Sequence, residues 1–146
     1  MLKTLLVLIL SFGLADSAKA DCPAQPISLC QMVSASPVVV RAKVEAVQRI
    51  VDEDDPEGVA GWIYHLDVIE HYRHGTGRRL TVISENTAAR VSLEVGNEYI
   101  VFAAPNSEGQ LETGNFCDPY SSKEFDRTTA RNVLSCLSNE KAGRRK

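Results

Sequence analysis

Alternation of apolar and polar residues is strongest over residues 37–51. There Val38, Val40, Ala42, Val44 and Ala46 fall on one side, and Arg41, Lys43 and Glu45 on the other. A period of two is that of a half-buried strand, and this length predicts a strongly bent one shared between two regions of sheet. The period returns at 62–72. Trp62, Tyr64, Leu66, Val68 and Tyr72 share one face, with Glu70 as the exception; Ile63, His65, Asp67, Ile69 and His71 share the other. Between the two runs, residues 52–61 (DEDDPEGVAG) are acidic and broken by Pro56, Gly58 and Gly61, which predicts a solvated hairpin tip. Residues 80–84 predict a short third strand and 85–91 a loop. Val95, Gly96 and Asn97 predict a tight turn into a fourth strand, 98–104, whose two faces are both apolar, as in a central strand. Residues 105–109 (PNSEG) predict a hairpin turn, and 110–115 a fifth strand.

The period then changes. Residues 121–124 have the form of a capping box, with Ser121 at the N-cap and Glu124 at N3. Phe125, Thr129, Val133, Cys136 and Leu137 follow at helical spacing, with Asn139 and Gly143 as stops. Ahead of the first strand, Pro23 and Pro26 keep residues 22–29 out of a helix. Residues 31–36 predict one helical turn, stopped by Pro37. Five strands and then a helix predict an all-β fold: a small closed or partly closed barrel with a C-terminal α-helix packed on it. Closure removes the edges that short strands otherwise expose.

Residues 1–20 stand apart from this pattern. Lys3 supplies a short basic region, residues 5–14 an apolar core, and Ala18-Lys19-Ala20 a small-residue cleavage site, the order of a secretory signal peptide. The apolar run is too short to span a bilayer. The expected organisation is a signal peptide at 1–20, a domain over 21–138 starting at Asp21, and a basic tail at 139–146, giving an exported protein with no membrane span. The formal charge of −3 becomes −4 once Lys3, Lys19 and Asp16 are removed. A mildly acidic domain suits nucleic acid poorly, because that binding needs dense cations against phosphates.

The four cysteines, Cys22, Cys30, Cys117 and Cys136, lie in the exported part. An even count in a small exported chain implies disulfides, with three possible connectivities. Structural zinc is disfavoured, since no pair has C-x-x-C spacing and no histidine stands at ligand spacing beside a cysteine. His65, Asp67, His71 and His74 are the one metal-like group. On a strand His71 falls about 13 Å beyond His65 and Asp67, too far for one ion, so these residues read as a polar outer face. The carboxylates of 52–55 sit in a solvated tip, where no burial raises a pKa. No nucleophile elbow or phosphate loop is present. The chain reads as a non-enzyme with no cofactor.

A cysteine, a second cysteine eight residues on (30 − 22), then a short gap and VVVRAKV resembles the N-terminal domain of the tissue inhibitors of metalloproteinases and, more broadly, the netrin-like modules. Residues 68–75 (VIEHYRHG) are similar to the end of the family's second strand, 95–102 (VGNEYIVF) to its G-x-x-Y-L-V strand, and 111–117 (LETGNFC) to its short strand running into a cysteine. Cys136 stands where the family has a cysteine after the following helix. The resemblance covers nearly all of residues 22–137. It implies an OB-type five-stranded Greek-key barrel and the pairing Cys22–Cys117 and Cys30–Cys136. It also implies inhibition of a zinc metalloproteinase, with contacts from Asp21, Cys22 and Pro23 and from Thr87, Ala88, Ala89 and Arg90. The Asp21 α-amine then ligates the target's zinc, and the chain holds no metal of its own. The sequence departs from the family where the animal inhibitors begin Cys-x-Cys. The first of those cysteines falls at Ala20, and its mid-chain partner falls near residues 89–91, which contain no cysteine. The alternative reading is a non-inhibitory exported netrin-like module that docks another protein.

Overall fold

The computed structural model describes residues 27–54, 58–73, 77–87, 90–113, 120 and 123–143. Its elements are α1 (Leu29–Ala35), β1 (Val38–Val51), β2 (Val59–Arg73), β3 (Arg79–Glu85), β4 (Glu98–Pro105), β5 (Leu111–Thr113) and α2 (Arg127–Gly143). The strands form a closed barrel in the order β1-β2-β3-β5-β4. The fold is therefore an all-β, OB-fold-like barrel with a C-terminal helix. All pairings are antiparallel except β3 with β5, where Ile83 stands opposite Glu112.

β1 is shared as its length predicts. It pairs with β4 over Val38–Lys43 and with β2 from Val39 to Val51. Val40, Ala42 and Val44 point into the barrel with Tyr64, Leu66, Val68, Val82, Tyr99, Val101 and Ala103. The opposite face carries a second core. Val39, Ile100 and Phe102 meet Leu29, Met32 and Val33 of α1 and Val133, Cys136 and Leu137 of α2. This is why 98–104 is apolar on both faces: one side fills the barrel and the other seats the helices. Ala46, expected on the buried face, is exposed, because the register shifts between Val44 and Ala46 and ends the alternation.

Three boundaries differ from the sequence pattern. β2 starts at Val59, so Gly61 lies inside the strand and not in the hairpin tip. α1 starts at Leu29, because Ser28 and Gln31 form a reciprocal capping box. α2 starts at Arg127 and not near Ser121. Glu124 is bridged to Tyr99, and the Phe125 N–H donates to the Glu98 carbonyl at 2.7 Å, so this segment is extended. The cap is Asp126, whose carboxylate accepts from the Thr128 and Thr129 N–H groups at 2.9 and 2.8 Å and from the Thr129 hydroxyl at 2.6 Å. Phe125 packs on the second core from outside the helix. Thr129, Val133, Cys136 and Leu137 form the buried stripe as expected. The helix passes Asn139 and ends at Gly143, so residues 139–143 are helical and not a tail. Residues 1–26, Ser121 and residues 144–146 lie outside the described residues. No described helix is long and apolar enough to cross a membrane.

Two ties hold the helices together. The Cys30–Cys136 disulfide joins α1 to α2. Arg73, at the end of β2, donates to the Val33 and Ser34 carbonyls at the C-terminus of α1 and pairs with Glu140 of α2. Cys22 and Cys117 lie outside the described residues.

The Cys30–Cys136 bridge spans a separation of 106 residues, for which chain entropy gives roughly 4.7 kcal/mol. Replacing both cysteines by serine is expected to lower the thermal midpoint by more than about 10 °C; an unchanged midpoint refutes the clamp. Asp126 gives a pH prediction. The Thr129 hydroxyl and N–H, with Lys123, hold its carboxyl well below the usual aspartate range. Folding therefore favours the ionised form. That support is present above the ordinary aspartate pKa and is lost as pH falls through and below it. In urea unfolding, the stability gap between wild type and Asp126→Ala is expected to narrow between pH 6 and pH 2. A gap constant with pH contradicts this.

Candidate functional site

The connection from β3 to β4 crosses one end of the barrel and is built from the inside out. Val91 and Leu93 are buried in the barrel core. The buried Tyr64 hydroxyl donates to the Val91 carbonyl at 3.2 Å and accepts from the Leu93 N–H at 3.4 Å. The Tyr99 hydroxyl accepts from the Glu94 N–H at 3.1 Å, and the Ser84 hydroxyl from the Val91 N–H at 3.1 Å. Burial pushes the Tyr64 phenol above its usual pKa, so it stays a neutral donor and acceptor. The segment 91–94 is thus a plug in the barrel mouth.

The exposed part, residues 85–90, is tied to the start of β2. The Asn86 N–H donates to the Ala60 carbonyl, and its side-chain amide to the Val59 carbonyl, both at 2.8 Å. Arg90 donates to the Asn86 side-chain oxygen at 2.9 Å, and its guanidinium lies 5.0 Å from the centre of the Trp62 ring. The Arg90 N–H donates to the Thr87 carbonyl at 3.1 Å, closing the turn. Gly61 permits the approach. A Cβ there would lie 2.7 Å from the Ser84 carbonyl oxygen. On the neighbouring strand Glu112 is half-buried, and burial together with Glu85 raises its pKa.

Of the residues that the resemblance places at a protease, Thr87 and Arg90 are described. Both are exposed on this braced rim. Asp21, Cys22, Pro23, Ala88 and Ala89 lie outside the described residues. Trp62, Tyr64, Ser84 and Asn86, which shape the rim, carry no motif. The usable signal was the unpaired apolar pair Val91 and Leu93 in a segment otherwise read as loop and turn. The rim offers a hydroxyl, a guanidinium and an indole, which are groups for contact with a partner surface.

The metal-like group is dispersed. His65 Nδ1 lies 3.4 Å from the Thr81 hydroxyl, Asp67 pairs with Arg78 at 2.8 Å, and His71 Nε2 lies 3.1 Å from the Gly77 carbonyl. Arg78 holds the Asp67 carboxyl below its usual range. His74 lies outside the described residues. Among the described residues no three His, Cys, Asp or Glu side chains gather as a metal site.

Comparison with models of protein families finds no match, and comparison with curated proteins finds none either.

Gly61→Ala is expected to push the β2 start away from Ser84 and loosen the rim. The cost is about 2 kcal/mol, as for overpacking a well-filled site. Urea unfolding measures this, and amide exchange at Asn86 and Val91 should quicken more than at Ile100. Wild-type stability in the variant contradicts the close approach.

Proposed function

We propose that this chain is an exported domain resembling the tissue inhibitors of metalloproteinases. In this reading it inhibits a zinc metalloproteinase through its N-terminal arm and the 85–91 rim. The supporting observation is the parallel pairing of β3 with β5 through Ile83 and Glu112. Both strands run to the same end of the barrel, so the chain leaves Thr113 beside the rim that follows Glu85. Cys117 is four residues further (117 − 113), within about 14 Å along a fully extended chain. The pairing Cys22–Cys117 that the resemblance implies would carry Asp21 and Pro23 toward the end of the barrel that holds Thr87 and Arg90.

The chemistry follows from the α-amine. A free amine ligates zinc only when deprotonated, and its ordinary pKa is about 7.7–8.0. Inhibition therefore strengthens from pH 6 to pH 8. The family's first cysteine and its loop partner are both absent, so the arm relies on the bridge at Cys22 and on the packing of the rim. That absence favours the second reading, a non-inhibitory exported module that uses the same rim to dock a protein.

Titration of the exported form, beginning at Asp21, against a panel of zinc metalloproteinases is the test. Inhibition at micromolar concentration is expected. One alanine added before Asp21 should weaken it more than about tenfold with an unchanged circular dichroism spectrum. No inhibition across the panel rejects the inhibitor and leaves the docking module.

A further inference from the structure

A second surface, independent of the rim, lies where α2 crosses the far end of β2. Arg127, Ala130, Arg131 and Leu134 recur at helical spacing and form one stripe of α2 beside its buried one. With Arg41, Tyr72 and Phe125 they line an open cavity of about 510 Å³. Its floor is aromatic and half-buried. The Arg41 guanidinium lies 3.9 Å from the centre of the Phe125 ring and is held there by Glu98, which accepts from Nε at 3.0 Å and Nη2 at 2.6 Å. Among the described residues Nη1 makes no hydrogen bond. The lone acidic residue of the lining, Glu70, accepts from the Tyr72 hydroxyl at 3.0 Å. Burial and Glu70 push the Tyr72 phenol up to about 12, so it remains a donor to that carboxylate.

The charges of the stripe lack internal compensation. Among the described residues Arg127 makes no ion pair, and Arg131 makes only a 3.5 Å contact with the Thr128 hydroxyl. The two arginines are four positions apart on one face, where like charges repel. Both lie near the helix N-terminus, where the macrodipole disfavours cations. Arg127 and Arg131 therefore line the cavity without an ion-pair partner among the described residues, in a chain of net charge −3, while Arg41 is already paired with Glu98. At the other end of the stripe Leu134 is 47% exposed. Arg127 and Leu134 are separated by seven residues, about 10 Å along the axis, the length of about three residues of extended peptide.

We propose that this groove binds an acidic peptide segment of a partner protein, its carboxylates on Arg127, Arg131 and Arg41 and a neighbouring apolar side chain on Ala130 and Leu134. The polarity is set by the stripe: charge at the N-terminal end of α2, apolar surface one to two turns on. Arginine suits carboxylates because its planar fork bonds both oxygens at once.

Fluorescence polarisation with the exported chain tests this, using a labelled tetrapeptide amide of two aspartates followed by two leucines. Binding should be saturable and weaken between 50 and 200 mM salt. Arg127→Glu with Arg131→Glu should weaken it more than tenfold, and Leu134→Asp by a similar factor, with thermal midpoints near wild type. Wild-type affinity in either variant overturns the site. So does equal affinity for a peptide with asparagines in place of the aspartates. Equal displacement by inorganic phosphate, or tighter binding to anionic lipid vesicles, overturns the peptide assignment. Amide shifts mapped by nuclear magnetic resonance give a readout independent of the variants: they should centre on Arg127–Leu134, and shifts centred on Thr87 or Arg90 contradict the proposal.

Discussion

The pairing of β1 with β4 fixes which side chains enter which core. Val40 stands opposite Val101 and Val39 opposite Phe102. The first pair fills the barrel; the second seats the two helices. A slip of one residue would exchange the two sets, because the side-chain period of a strand is two. Val40, Ala42, Val44, Tyr99, Val101 and Ala103 face the barrel from these two strands, and Val39, Ile100 and Phe102 meet the helices, so the exchanged arrangement would set each core's side chains in a space shaped for the other's. The helices and the plug rest on this register. Burying a valine or isoleucine side chain contributes about 1.5–3 kcal/mol, and four such residues, Val39, Val40, Ile100 and Val101, lie buried in the paired stretches of β1 and β4.

Most of the barrel was legible because strands report their environment through a period of two. β1, β3 and β4 stand within a residue or two of the sequence pattern, and the two-faced character of β4 predicted its central place. The start of α2 was not legible. Ser121 and Glu124 have the form of a capping box, but Asp126 is a good N-cap residue as well, and tertiary pairing of Glu124 with Tyr99 decides between them. Gly61 shows the same limit. Glycine after proline and acidic residues reads as a turn, yet here it admits the Ser84 backbone into close approach. The rim was legible as a loop and not as a plug, because Val91 and Leu93 gain their role from the Tyr64 hydroxyl, far away in sequence.

The ends of β2 have different chemistry. Near Gly61 the strand supports a rim stitched by amides and hydroxyls, with Trp62 under Arg90. Near Tyr72 it supports a groove of aromatic rings and arginines. From residue 61 to residue 72 the strand rises about 36 Å. A partner at the rim and a peptide in the groove therefore do not compete for the same surface. Coupling between them would have to pass through a strand paired with β1 along its length and with β3 over Gly61–Asp67, which resists the two discrete arrangements that coupling requires.

The groove in turn depends on the clamp. The rotation of α2 about its axis is set by Val133, Cys136 and Leu137 against the barrel, and the disulfide to Cys30 locks that setting from the α1 side. Arg73 fixes the same pair of helices a turn further on by holding the C-terminus of α1 and Glu140 of α2 together. With the buried stripe fixed, the neighbouring stripe has one direction left to face, over Arg41 and Tyr72. Arg127 and Arg131 therefore line the same cavity as a third arginine, Arg41. A fold that only needed a stable helix there would be better served by acidic residues in its first turns. The repulsion between Arg127 and Arg131 is tolerated because the two ties and the second core outweigh it, and both line one cavity with the Glu98-paired Arg41.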